Sequence, residues 1–167
     1  MNTQGDRSPL FYYWFLEMIA KDRIRKLVEE HIEGTALFIV DVKVSSANKI
    51  TILVDTHSGI TIDECISVSR FVEQNLDREK EDFDLMVSSP GLEMPFLVLE
   101  QYVKNEGKKV VVIDNECGKY QGVLKNVTAG GFEVEVEVRK KGENPTLKEI
   151  SFNYGQVKAT KTLIDFK

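Results

Sequence analysis

Asp84-Leu-Met-Val-Ser-Ser-Pro-Gly-Leu-Glu-Met-Pro95 is the stretch that divides the chain. It opens as a strand, with Leu85 and Val87 facing one way and Met86 and Ser88 the other. Pro90 fixes φ and lacks an N–H, and Gly91 tolerates positive φ, so the pair is expected at the two central positions of a type II turn. Pro95 then opposes a return to helix or sheet. Upstream, helix and strand patterns alternate; downstream come short strands between glycine-containing turns. The run therefore closes one domain, residues 18–93, and opens another, residues 94–167. Its expected role is a rigid interdomain turn, with direct contact to a partner as the other role open to it.

Working back from this run, residues 19–33 read as a helix. Ile24, Leu27, Val28, His31 and Ile32 share one face at a 3.6-residue period, and Gly34 suits the position that stops it. His31 reads as a helix-end residue bordering the core, because no second metal ligand lies near it in sequence. Residues 36–44 and 49–55 are β-branched and alternating, joined by the turn Ser45-Ser-Ala-Asn48, and read as a hairpin. Residues 61–76 form a second helix, opened by a Thr61/Glu64 capping box. Its expected buried stripe is Ile62, Cys65, Ile66, Ser69, Val72 and Leu76, with Arg70, Glu73 and Gln74 outward. Residues 77–84 are an acid-rich, solvated connection. With the strand at 85–88, the order is αββαβ: two helices over a three-stranded sheet, a two-layer α+β domain.

Forward from the run, residues 98–106 read as a short helix stopped by Gly107. Strands follow at 108–114, 120–127, 132–139, 148–152 and 157–164. Short, evenly spaced strands with glycine turns indicate a small all-β barrel. Phe132, Val134, Val136 and Val138 alternate with Glu133, Glu135, Glu137 and Arg139, so that strand is buried on one face and wet on the other.

Residues 1–17 stand apart as an N-terminal extension, polar to Pro9 and then apolar and aromatic from Leu10 to Leu16. They lack the basic start, unbroken apolar core and cleavage site of a signal peptide. Three readings stand: a helical turn packed on the body, a disordered tail, or a translated leader ahead of Met18, and the reading favoured is the leader. The 167 residues are 42% hydrophobic and 29% charged, the composition of an ordinary soluble globular protein. No apolar run approaches the ~20 residues that span a bilayer. The net charge of −5 is uneven. Residues 18–95 hold 9 Lys/Arg and 15 Asp/Glu, whereas residues 96–167 hold 12 and 10. An acidic first domain attracts basic partners and repels a phosphate backbone. Cys65 and Cys117 have no Cys or His at metal-ligand spacing, and both are expected as free thiols in a reducing compartment.

Four stretches together resemble the ribosome maturation factor RimP family. Gly59-Ile-Thr-Ile-Asp-Glu-Cys-Ile-Ser-Val-Ser-Arg70 resembles its G-I-x-I-D-D-C-x-x-x-S-R, and Leu76-Asp-Arg-Glu79 its L-D-x-E. Leu85-Met-Val-Ser-Ser-Pro-Gly-Leu-Glu-Met-Pro95 resembles L-E-V-S-S-P-G-L-D-R-P, the most specific of the four. Gly118-Lys-Tyr-Gln-Gly-Val-Leu124 resembles G-x-x-x-G-x-L. The order and spacing match from Met18 to the end. Met86 and Met94 depart from the pattern, which has an acid and an arginine there. The resemblance implies a KH-like first domain and an SH3-like or Sm-like second one; Phe152-Asn-Tyr-Gly155 fits the helical turn before the last strand of such barrels. It further implies a non-enzymatic assembly factor of the bacterial cytoplasm. Its partners would be the immature small (30S) ribosomal subunit, the basic ribosomal protein S-twelve and pre-16S rRNA, with no cofactor, no metal, no membrane, and a monomeric state.

The residues themselves leave three classes to weigh. An enzyme would need a constellation that is not evident: His57 and Ser58 are adjacent in a loop and point apart, and Ser88-Ser-Pro-Gly91 lacks the glycines of a nucleophile elbow. A general RNA-binding module with KH-like and Sm-like domains would need a dominant basic, aromatic surface, and no GXXG loop is evident. An assembly factor fits the acidic first domain, which would steer toward a basic protein, and the mildly basic second one. The candidate signature-loop residues are Ser88, Ser89, Pro90, Gly91, Leu92, Glu93 and Pro95. The candidate partner-binding residues are Arg70, Asp77, Lys108, Lys109, Lys119 and Lys125; Lys140 and Lys141 join the lysines that would lie against rRNA.

Overall fold

The structure, a computed structural model, describes residues 19–164. The extension at residues 1–17 lies outside them. The chain divides into two compact units, one running to Ser89 and the other starting at Pro90.

The first unit has the order αββαβ: α1 (Lys21–Ile32), β1 (Phe38–Val44), β2 (Lys49–Asp55), α2 (Ile62–Asn75) and β3 (Asp84–Ser88). The strands lie in the order β1-β2-β3, with β2 antiparallel to β1 and parallel to β3. A parallel partner needs a crossover, and α2 provides it. α1 ends where Gly34 takes φ +77, a conformation that glycine adopts without steric cost. Ile24, Val28 and Ile32 from α1 pack with Ile50, Ile52 and Val54 from β2. Each such fully buried side chain contributes about 1.5–3 kcal/mol relative to exposure. Val40 is the extra residue of a bulge in β1, between Ile39 and Asp41. One inserted residue reverses the alternation, so Ile39 before it and Val42 after it both reach the same core.

α2 starts as expected. Thr61 Oγ1 accepts from the Glu64 N–H at 3.2 Å, and the Glu64 carboxylate accepts from the Thr61 N–H at 2.8 Å. Its buried face differs from the expected stripe. Val68, Val72 and Leu76 are buried, while Ile62 is 79% and Ile66 41% exposed. The sheet takes the Val68–Val72 face. α1 takes the neighbouring flank, where His31 shares a 2.8 Å hydrogen bond with Ser67 and stacks on Phe71 at 4.6 Å. Ile62 and Ile66 lie some 120–160° around the helix from Val68, at 100° per residue. The connection after α2 is ordered by its own charges. The Asp77 side chain accepts from Glu79 N–H at 3.0 Å and pairs with Lys80 at 3.5 Å, and Arg78 lies 4.3 Å over the Phe83 ring.

The second unit is α3 (Leu99–Asn105), β4 (Lys109–Asp114), β5 (Lys119–Lys125), β6 (Gly131–Val138), β7 (Thr146–Asn153), a 3₁₀ turn (Tyr154–Gln156) and β8 (Val157–Thr162). The five strands form one antiparallel sheet in the order β7-β6-β5-β4-β8. One face is the core: Val110, Val112, Leu124, Phe132, Val134 and Phe152, joined by Tyr102 of α3. The Tyr102 hydroxyl donates to Thr160 Oγ1 at 3.0 Å, and burial raises its pKa above the usual value. Two glycines allow strands to close up. A Cβ on Gly122 would overlap the Glu135 carbonyl, and one on Gly131 would overlap the Phe152 carbonyl. Both cysteines are free, Cys65 half-buried and Cys117 exposed at φ +64 in the β4–β5 turn.

Candidate functional site

The signature loop turns two residues later than Pro90-Gly91 implies. Gly91 is not in the left-handed region, and the closing hydrogen bond runs from the Met94 N–H to the Gly91 carbonyl at 3.0 Å. Leu92 and Glu93 therefore occupy the central positions, and Leu92 is 67% exposed. The phase follows from the anchors on either side. β3 ends at Ser88, whose hydroxyl donates to the Ser89 carbonyl at 3.0 Å. On the far side the Phe96 N–H is bonded to the Thr160 carbonyl at 2.8 Å. Pro95 has no N–H, so Met94 is the last donor available to close a turn between the anchors. Beyond Phe96, buried Gln101 accepts from the Leu97 and Val98 N–H groups at 2.6 and 3.3 Å, which caps α3. Gly91 meets no atom within 4 Å of a built Cβ. Gly91→Ala should change stability by less than about 0.5 kcal/mol; a thermal unfolding curve shifted by several degrees would contradict this.

Arg70 and Asp77 play different parts. Arg70 lies on the exposed side of α2 and borders a shallow hollow with His31, Ile66, Ser67 and Phe71. Asp77 is engaged in the turn after α2, with Lys80 and the Glu79 N–H as its partners. Arg70 therefore presents a cation beside apolar surface, whereas Asp77 organises its own loop.

The four candidate lysines all belong to the second unit. Pleating puts Lys109, Lys119 and Lys125 on the outer face, opposite the core residues Val110, Val112 and Leu124. Lys108 is exposed just before β4, and its carbonyl accepts from the Leu124 N–H at 3.0 Å. Lys109 lies across from Val123, and Lys119 lies across from Ile113 at the other end of the strand pair. Charge on this face is sorted by strand: β4 and β5 bear lysines, while β6 bears Glu133, Glu135 and Glu137. Lys125 sits at the seam and is paired with Glu135. That hydrogen bond raises the Lys125 pKa. Lys109 and Lys119 border a groove whose other wall includes Glu137, Arg139 and Leu147.

These placements divide the candidates between the two units. Sequence reasoning missed the exposed pair Ile62 and Ile66, because period alone does not tell which apolar face meets the sheet. It also passed over Arg139 and Leu147 on the groove wall; the strand ends around the 139–145 connection were the available signal. In the loop at 56–59, His57 packs against Phe38 at 5.5 Å, and Ser58 lies 3.4 Å from the Thr56 hydroxyl. Among the described residues no group of three or more His, Cys, Asp and Glu side chains could hold a metal ion, and no helix is long and apolar enough to cross a membrane. These surfaces carry separated charge and exposed apolar side chains.

Comparison with known proteins adds a family. The RimP N-terminal domain matches residues 27–93. A ribosome maturation factor RimP from Christiangramia forsetii is 34% identical, over 87% of this chain and 99% of that protein. The protein of the same name from Flavobacterium psychrophilum is 30% identical, over 89% of this chain and 100% of its own length. One from Chlorobium limicola reaches 39% over 56% of this chain and 63% of that protein.

Proposed function

Because this chain belongs to the ribosome maturation factor RimP family, we propose that it is a non-enzymatic factor for maturation of the small ribosomal subunit. In this reading it binds the immature subunit and the basic ribosomal protein S-twelve, with pre-16S rRNA as a further contact. It works as a monomer in the bacterial cytoplasm. The observation that carries the reading is similarity that runs through both units, covering 99% of the Christiangramia protein. Charge supports the division of labour: an acidic first unit steers toward a basic ribosomal protein, and the lysines of the second suit rRNA. The folds agree with it. An αββαβ unit with a mixed sheet supports a KH-like description. Five antiparallel strands with a 3₁₀ turn before the last support an SH3-like or Sm-like one.

The test is a strain of the host bacterium lacking the gene. Sucrose-gradient profiles should show immature small subunits accumulating, with unprocessed 16S rRNA precursor, beside mature large subunits. A normal small-subunit peak with normal rRNA processing would overturn the proposal.

A further inference from the structure

Resting on the reading just given, we infer that the hairpin formed by β6 and β7 is an arm that grips the phosphate backbone of structured RNA. The two strands pair along their whole length, from Gly131–Asn153 to Val138–Thr146. β5 follows β6 only between Gly122–Val136 and Lys125–Glu133. Glu137 and Val138, with their partners Leu147 and Thr146, therefore continue past the last rung that β5 shares. Beyond them every residue from Arg139 to Glu149 is exposed. A two-stranded ribbon without a third strand or a core gains little from its own burial. Two rungs of the ladder, Glu137–Leu147 and Val138–Thr146, nonetheless hold beyond that support, which fits a contact made elsewhere.

The chemistry of the tip identifies the contact. The Glu143 N–H donates to the Lys140 carbonyl at 3.2 Å, and Gly142 takes φ +86. This is a hydrogen-bonded turn of the type II pattern with Lys140 and Lys141 at its first two positions. Lys140 and Lys141 make no ion pair among the described residues. Arg139, by contrast, is held by Glu137 at 2.6 Å. Two unpaired ammonium groups on a fixed turn suit phosphate oxygens, and lysine binds phosphate as a point charge. The groove behind the arm, bordered by Lys119, continues the cationic track. Of the carboxylates, Glu135 and Glu137 line the groove and are paired with Lys125 and Arg139, and Glu143 stands at the far end of the turn from Lys140.

The test uses the full chain and a fluorescein-labelled RNA hairpin of about 20 base pairs, with anisotropy titrations between about 50 and 200 mM salt. The double variant K140E/K141E should bind at least about tenfold more weakly, with a log K against log salt slope shallower by roughly 2. The control K21E/K26E, on α1, should keep the affinity and slope of the unaltered chain. An unaltered affinity and slope in K140E/K141E, or no hairpin binding by the unaltered chain, overturns the inference. Complementation separates this inference from the family reading. If the unaltered chain restores small subunits in the deletion strain and K140E/K141E restores them equally, the arm inference fails while the assembly role stands. If the unaltered chain restores nothing, the assembly role itself fails.

Discussion

Replacing Gly122 by valine should unfold the second unit. Gly122 pairs with Val136, and a Cβ there would overlap the Glu135 carbonyl oxygen and carbon and press on the Val134 side chain. Its φ is not in the left-handed region, so glycine is present for space and not for conformation. The obstacle is backbone in a paired strand, which cannot rotate aside as the end of a side chain can. Relief requires parting β5 from β6, the junction that also holds Leu124 against Val134 in the core. Ordinary core overpacking costs roughly 1–3 kcal/mol; here the clash is with paired backbone and parts the strands, so the loss exceeds that range and approaches the roughly 5–15 kcal/mol that stabilises a small domain. In an amide nitrogen–proton correlation spectrum, residues 109–162 should lose their dispersion. Residues 21–88, which have a core of their own, should keep theirs. A fully dispersed spectrum for the variant would show that the strands yield without cost.

A comparable loss is expected from Ile52→Ala in the first unit. Ile52 is fully buried on the central strand, between Val42 of β1 and Val87 of β3 and beneath both helices. Truncation removes its transfer energy and leaves a cavity that the flanking strands cannot fill, costing about 2–5 kcal/mol. Urea unfolding should show the midpoint lowered by about 1 M or more at unchanged slope. Ile62→Ala is the matched control: the same atoms are removed from a side chain that is 79% exposed, so the change should stay within about 0.5 kcal/mol. If the two variants were equally destabilised, the α2 orientation described above would be wrong.

The Ile52/Ile62 contrast marks how far the sequence could be read. β2 carries Ile50, Ile52 and Val54 at alternate positions and appears at Lys49–Asp55, where its pattern placed it, although Leu53 and Asp55 on the other face are buried too. The capping box at Thr61 and the stop at Gly34 are also where the residues indicated, since each depends on atoms within a few positions in the chain. The α2 stripe was not so determined. Ile62, Cys65 and Ile66 are as apolar as Val68 and Val72, and periodicity gives a helix its faces without saying which one the sheet will cover. The signature loop erred in the same way. Pro-Gly favours a turn at its own position, yet the chain turns at Leu92-Glu93 because distant Thr160 holds Phe96. Among the candidate cations, only the register could show that Lys125 faces Glu135 while Lys119 borders an open groove.

By itself, then, the sequence determined the order of elements and the family. Caps, alternation and turn residues are local chemistry, and four spaced motifs are specific together. Only the tertiary structure decided which face of α2 is covered, where the loop turns, why Gly122 must be glycine, and that the β6–β7 hairpin outruns its neighbour. Each of these depends on which backbone arrives from far along the chain, and no local preference encodes that arrival.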